Sequence, residues 1–140
     1  MNINIISFPC VILFRNGDLN ACSNKITLSL FSEQFVDNGN LIFANIIDAN
    51  GNLFTIDNII KLKNRNIFPK CLTRYSKRIV EVTFTLNFIA KLDVIQMKEH
   101  IIRSLNVNEK LFFQYQELGI IQMIRGAENY IEIIETFGIE

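Results

Sequence analysis

The sequence predicts an α+β fold: an antiparallel sheet built from hairpins, with helices, mainly C-terminal, packed on one face. Three observations point there. Asn-Gly pairs at 16–17, 38–39 and 50–51 punctuate the first half, and both residue types tolerate the positive φ of tight hairpin turns. Ile79–Ile89 alternates apolar and polar residues with period two, the pattern of a strand with one buried face. From Asp93 onward the apolar spacing lengthens to that of helices. Strands first and helices last is the α+β arrangement, with the helices gathered on one sheet face.

The elements follow in chain order. The opening MNINIISFPCVILF is apolar, but it lacks a basic leader region and a small-residue cleavage site. Pro9 interrupts it, and it is too short to span a bilayer. It reads as a strand in a soluble, cytoplasmic protein with no membrane attachment. VILFRNGDL turns at Gly17, and Asn38-Gly39 closes a connection ahead of a strand at Leu41. In LIFANIIDANGNLFTI, the run Leu41–Ile47 meets Leu53–Ile56 across Asp48–Asn52. A type I′ turn there places Asn50 and Gly51 both at positive φ. In the long strand, Val80, Val82, Phe84, Leu86 and Phe88 form the core face, opposite Glu81, Thr83, Thr85 and Asn87.

Asp93 is a helix N-cap with Gln96 three residues on, a capping box. The helix runs to about Leu105. It docks through Val94, Met97, Ile101 and Leu105, widened by Ile95 and Ile102, while Gln96, Glu99, His100 and Arg103 face water. Glu109–Leu118 fits a helix turn or a short strand, and IIQMIR between Gly119 and Gly126 is a short buried piece of either kind. Ala127–Phe137 reads as the last helix, with Tyr130, Ile133, Ile134 and Phe137 inward and Glu128, Glu132 and Glu135 outward.

Composition limits the function classes. With 140 residues, 49% hydrophobic and 20% charged, residues 1–140 suit one globular domain. Such a chain buries roughly two-thirds of its unfolded surface without disulfides or metal. The 14 basic and 14 acidic residues cancel, so no whole-molecule field draws it to nucleic acid or membranes. Cys10, Cys22 and Cys71 are odd in number and scattered. They describe neither a disulfide framework nor a zinc clip, and are expected reduced. No glycine-rich phosphate loop, H-E-x-x-H or C-x-x-C occurs. The turn Asp48–Asn52 has its glycine fourth, and Ile59 stands twelfth from Asp48. A calcium loop needs glycine sixth and glutamate twelfth. His100 is the one histidine, and a general base needs a partner within hydrogen-bond reach. A site built from a cysteine and His100 would have to be assembled by the fold; an exposed helix histidine is the expectation. No enzyme, cofactor or metal is called for.

Charge is segregated along the chain. KLKNRNIFPKCLTRYSKR holds half of the 14 basic residues and no acid. Its Lys61, Lys63, Arg65, Lys70, Arg74, Tyr75, Lys77 and Arg78 form one candidate binding set, for nucleic acid or an acidic partner. Basic groups neutralise phosphates, and aromatics stack on unpaired bases. A solvated connection around Pro69 explains the same residues. At the other pole, the last 32 residues carry six acids against Lys110 and Arg125. In FANIIDANGNLFTI, IVEVTFTLNFIAKLDVIQMKEHIIRSL and the glutamate-faced tail, the chain resembles in style the small cytosolic immunity proteins with which bacteria neutralise a cognate toxin. That resemblance implies a protein–protein interaction module that blocks a toxin's active site or substrate path. Against a nuclease toxin the matching surface would be acidic: Glu128, Glu132 and Glu135, with Glu117.

Overall fold

Among the described residues the antiparallel sheet has six strands, in the order β2-β1-β4-β5-β6-β3. The structure is a computed structural model that describes residues 3–64 and 79–138, the side chains of residues 63 and 64 excepted. A short 3₁₀ turn at Ile3–Ile5 and a cis Phe8-Pro9 bond lead into β1 (Cys10–Leu13), which pairs with β2 (Leu19–Cys22). Two short helices, α1 (Lys25–Ser29) and α2 (Glu33–Asp37), flank β3 (Leu30–Ser32). Both are capped by side chains, Asn24 on the Thr27 amide and Ser32 on the Phe35 amide. Strand β4 (Asn45–Ile47) forms the expected hairpin with β5 (Asn52–Asn64), and β5 pairs along its length with β6 (Ile79–Lys91). The C-terminal layer is α3 (Val94–Leu105), α4 (Glu109–Glu117), α5 (Ile120–Gly126) and α6 (Tyr130–Glu135).

Strand alternation divides the apolar residues between two cores. Cys10, Ile12, Ile46, Phe54, Ile56, Val80, Val82, Phe84 and Leu86 point inward, where α1, α2 and the Ile3 turn close over them. Val11, Leu13, Leu19, Ile47 and Leu53 point outward, onto Met97, Ile101, Leu105, Ile124, Ile133 and Ile134 of the helical layer. The sheet curls enough that its two edge strands, β2 and β3, line one cavity.

Several expectations change. None of the three Asn-Gly turns is type I′. Gly17, Gly39 and Gly51 have positive φ, but the one such non-glycine among the described residues is Phe43. Each turn therefore closes on a single left-handed residue, which glycine adopts without a Cβ penalty. In the hairpin the work is done by Asp48, which is fully buried. Its carboxylate accepts from the amides of Asn50 (2.9 Å), Asn52 (3.0 Å) and Ser7 (3.3 Å) and from Asn52 Nδ2 (3.3 Å). Phe88 keeps the inner face, directly opposite Phe54 and with the two rings edge-on, but it is the last inner-face residue before the register shift to Leu53 and Ala90 and is 47% exposed, not buried. Ile95 is also exposed, because α3 docks on the narrower stripe Met97, Ile101, Leu105. The last helix is shorter than expected, since Asn129 caps it, with Ala127 in extended backbone and Glu128 outside any helix.

Candidate functional site

The short acidic helix is held from beneath. Ile133 and Ile134 are fully buried in the outer core. The Tyr130 hydroxyl donates to the Leu92 carbonyl at 2.7 Å, and the ring lies over Gly51 of the hairpin turn. Leu92 is tied to the same turn, its amide donating to the Gly51 carbonyl at 2.8 Å. Asn129 Oδ1 accepts from the Glu132 amide (2.9 Å), and Glu132 Oε2 accepts from the Glu128 amide (2.7 Å). Asn129 thus caps α6 and Glu132 reaches back to the residue before the cap, which fixes the chain's entry into the helix.

Glu128, Glu132 and Glu135 are all exposed, as is Glu117 at the end of α4. Glu128 precedes the helix, so only Glu132 and Glu135 are on α6 and the three do not share one helical face. None of the four makes an ion pair with a described residue. Between this helix and the hairpin turn is a cleft of about 350 Å³ lined by Ala49, Asn129, Tyr130, Ile131 and Glu132. It places a carboxylate beside an apolar wall. A lysine or arginine side chain is suited to that arrangement, since its methylene stem packs on apolar surface while its head meets the charge. Spacing in the sequence pointed to the glutamates, but not to the cleft, which exists because Tyr130 docks on a turn about 80 residues away.

The basic set divides differently. Lys61 is in β5 and pairs with Asp37 of α2, both side chains about half exposed. Lys63 is in the same strand. Arg65, Lys70, Arg74, Tyr75, Lys77 and Arg78 lie outside the described residues, as does the Lys63 side chain.

His100 is not the free helix histidine expected. It is half-buried, with Nε2 at 3.3 Å from Asn45 Nδ2, and Asn45 Oδ1 accepts from Thr55 Oγ1 at 3.1 Å. Desolvation, and secondarily the Arg103 charge, holds its pKa below the ordinary value. It sits on the outer side of the sheet, whereas Cys10 and Cys22 project into the inner core. The sheet thus separates His100 from both, and Cys71 lies outside the described residues. Among the described residues no three His, Cys, Asp or Glu side chains gather as a metal site, and no helix is long and apolar enough to cross a membrane.

Two surfaces had no signal in the sequence reading. Phe43 holds φ 62, is 58% exposed, and lies under the Arg15 guanidinium at 5.9 Å from the ring centre. Along α3, Ile95 and Ile102 line a shallow groove together with Lys98, Glu99, Arg103, Asn106 and Arg125. The Lys98 ammonium donates to the Arg125 carbonyl at 2.9 Å, which ties α3 to α5. The chain matches no protein-family model, and no curated protein or solved structure is significantly similar to it.

Proposed function

We propose that this protein is a protein–protein interaction module, a cytoplasmic immunity protein that binds and blocks a bacterial toxin. A nuclease, whose substrate groove is basic, is the partner class the surface fits. The observation that carries the reading is the cleft beside α6, where Glu132 stands next to Ile131 and Tyr130 and is flanked by Glu128 and Glu135. Its carboxylates are not neutralised by any described cation. Glu132 and Glu135 stand on a helix pinned by two buried isoleucines and capped by Asn129, and the Glu132 carboxylate holds the Glu128 amide, so little ordering entropy is lost when a partner docks. Clustered acidic groups steer a basic partner into the complex and reject acidic competitors.

A second reading assigns binding of an acidic protein or nucleic acid to Lys61–Arg78 (Lys61, Lys63, Arg65, Lys70, Arg74, Tyr75, Lys77, Arg78). The half of the 14 basic residues gathered there favours it. One experiment separates the two. The wild type, a Glu128/Glu132/Glu135→Lys variant and a Lys70/Arg74/Lys77→Glu variant are used as baits in lysate of the native host. The first reading predicts a basic protein captured by the wild type and the basic-run variant but lost from the glutamate variant. Expressed alone, that protein should arrest growth, and co-expressed wild type should relieve the arrest. Nuclease-sensitive RNA retained by the glutamate variant and lost from the basic-run variant would establish the second reading instead.

A further inference from the structure

Cys10 and Cys22 are directly opposite one another in the β1–β2 hairpin, in the register Cys10↔Cys22, Val11↔Ala21, Ile12↔Asn20, Leu13↔Leu19. Both are free thiols pointing into the inner core. The Phe14 amide donates to the Asp18 carbonyl at 2.9 Å. Hydrogen-bonded pairs therefore fall on Phe14/Asp18, Ile12/Asn20 and Cys10/Cys22, because the two kinds of pair alternate along an antiparallel ladder. At such a pair the Cα atoms stand about 5.5 Å apart, within the range of roughly 4.4–6.8 Å that a disulfide spans.

The two thiols differ in setting. Cys10 is on the central side, in β1, and is fully buried. Cys22 ends β2, an edge strand, and forms part of the wall of a cavity of about 370 Å³. Leu30 and Phe31 of β3 and Tyr115 of α4 form other parts of that wall. The cavity is the seam where the curled sheet's two edges face each other.

We propose that Cys10 and Cys22 form a redox-responsive dithiol, closed to a cross-strand disulfide by exchange with a low-molecular-mass disulfide of the glutathione type that enters through the seam. Access assigns the roles: Cys22 lines the seam, whereas Cys10 is fully buried behind it. The hydrogen bond between the thiols agrees with that order, lowering the Cys22 pKa against burial and raising that of Cys10. The Cys22 thiolate attacks one sulfur of oxidised glutathione. A Cys22–glutathione mixed disulfide forms, and one glutathione leaves as thiolate and takes up a proton. Cys10 then gives up its proton and attacks the Cys22 sulfur. The Cys10–Cys22 bond forms and the second glutathione leaves as thiol. Two cysteine thiols are oxidised and one glutathione disulfide is reduced to two thiols, so atoms and electrons balance. Each exchange step is reversible, so an excess of reduced glutathione reopens the bridge by the same route through the seam. The proposal is independent of the toxin-binding reading and survives its failure.

The test uses the full reduced chain, equilibrated without denaturant against mixtures of oxidised and reduced glutathione, quenched by alkylation and mapped by peptide mass spectrometry. The expected result is that Cys10 and Cys22 lose alkylation in step, yielding a linked peptide pair two hydrogens lighter, and regain it in millimolar reduced glutathione. A Cys71→Ser variant should behave identically. In Cys10→Ser the mixed disulfide should accumulate on Cys22. The proposal is overturned if Cys10 and Cys22 stay alkylated at every ratio, if the Cys71→Ser variant no longer closes the bridge, or if the bridge resists millimolar reduced glutathione.

Discussion

Gly51 couples the hairpin turn to the helix that carries the acidic residues, and replacing it with alanine tests that coupling. Gly51 has φ +82, a conformation that costs a residue bearing a Cβ about 1–2 kcal/mol. The added Cβ would also stand 2.5 Å from the Leu92 carbonyl oxygen and 2.6 and 2.7 Å from Tyr130 Cε1 and Cζ. Neither neighbour yields cheaply. The Leu92 carbonyl is backbone and accepts the Tyr130 hydroxyl at 2.7 Å, and the Leu92 amide is bonded to Gly51 itself at 2.8 Å. Forcing an extra methyl into such a site costs about 1–3 kcal/mol, so the whole substitution should cost about 2–5 kcal/mol. Gly39→Ala is the internal control. Its φ is +76, but nothing lies within 4 Å of the new Cβ, so the backbone cost of about 1–2 kcal/mol acts alone. Any gain from a stiffer unfolded chain is common to both variants. Urea unfolding followed by circular dichroism gives the two differences directly. If Gly51→Ala is destabilised no more than Gly39→Ala, the contact of Gly51, Leu92 and Tyr130 does not anchor the helix.

Three further outcomes are expected. Phe84 is 2% exposed and meets Phe31 edge-on at 6.1 Å, so Phe84→Ala should lose about 3–5 kcal/mol in the same assay; near-normal unfolding would remove it from the inner core. Phe43→Asn replaces a strained aromatic with a residue that tolerates the left-handed region. It gives up an exposed cation–π contact of about 0.5–1 kcal/mol against relief of about 1–2 kcal/mol, so its urea midpoint should equal or exceed that of the wild type. His100 has a folded pKa below 6.5, so the unfolded chain takes its proton first as pH falls. Its effect on stability is nil well above 6.5 and unfavourable below it. The wild type should lose stability relative to His100→Gln as pH is lowered through that value, and a pH-independent difference would show that the histidine is not desolvated.

Local chemistry made much of this fold legible. Asp93 and Gln96 form the capping box their spacing implies, and the alternation around Phe84 marks a strand whose residues 80–86 bury one face. The hairpin at Asp48–Asn52 was also visible, though its turn type was not. A buried Asp48 can replace the second left-handed residue, and its burial depends on Ser7, 41 positions away. The strand Leu30–Ser32 and its flanking helices carried too few residues for a period to show. For the candidate site, the glutamates were readable from composition. The break between Glu128 and the helix was not, because it is set by the Asn129 cap. His100 was assigned to water by the helix wheel alone; the partner that half-buries it, Asn45, belongs to a strand 55 positions away.

Whether the acidic cleft beside α6 or the basic run meets the partner is decided by the association rate of the captured partner with the two charge-reversal variants, measured across ionic strength on proteins first shown to unfold like the wild type. The cleft reading predicts that Glu128/Glu132/Glu135→Lys slows association and flattens its salt dependence. Lys70/Arg74/Lys77→Glu should leave the rate unchanged or raise it. An unchanged rate in the glutamate variant together with a lost complex in the basic-run variant would contradict that reading and move the binding surface to Lys61–Arg78.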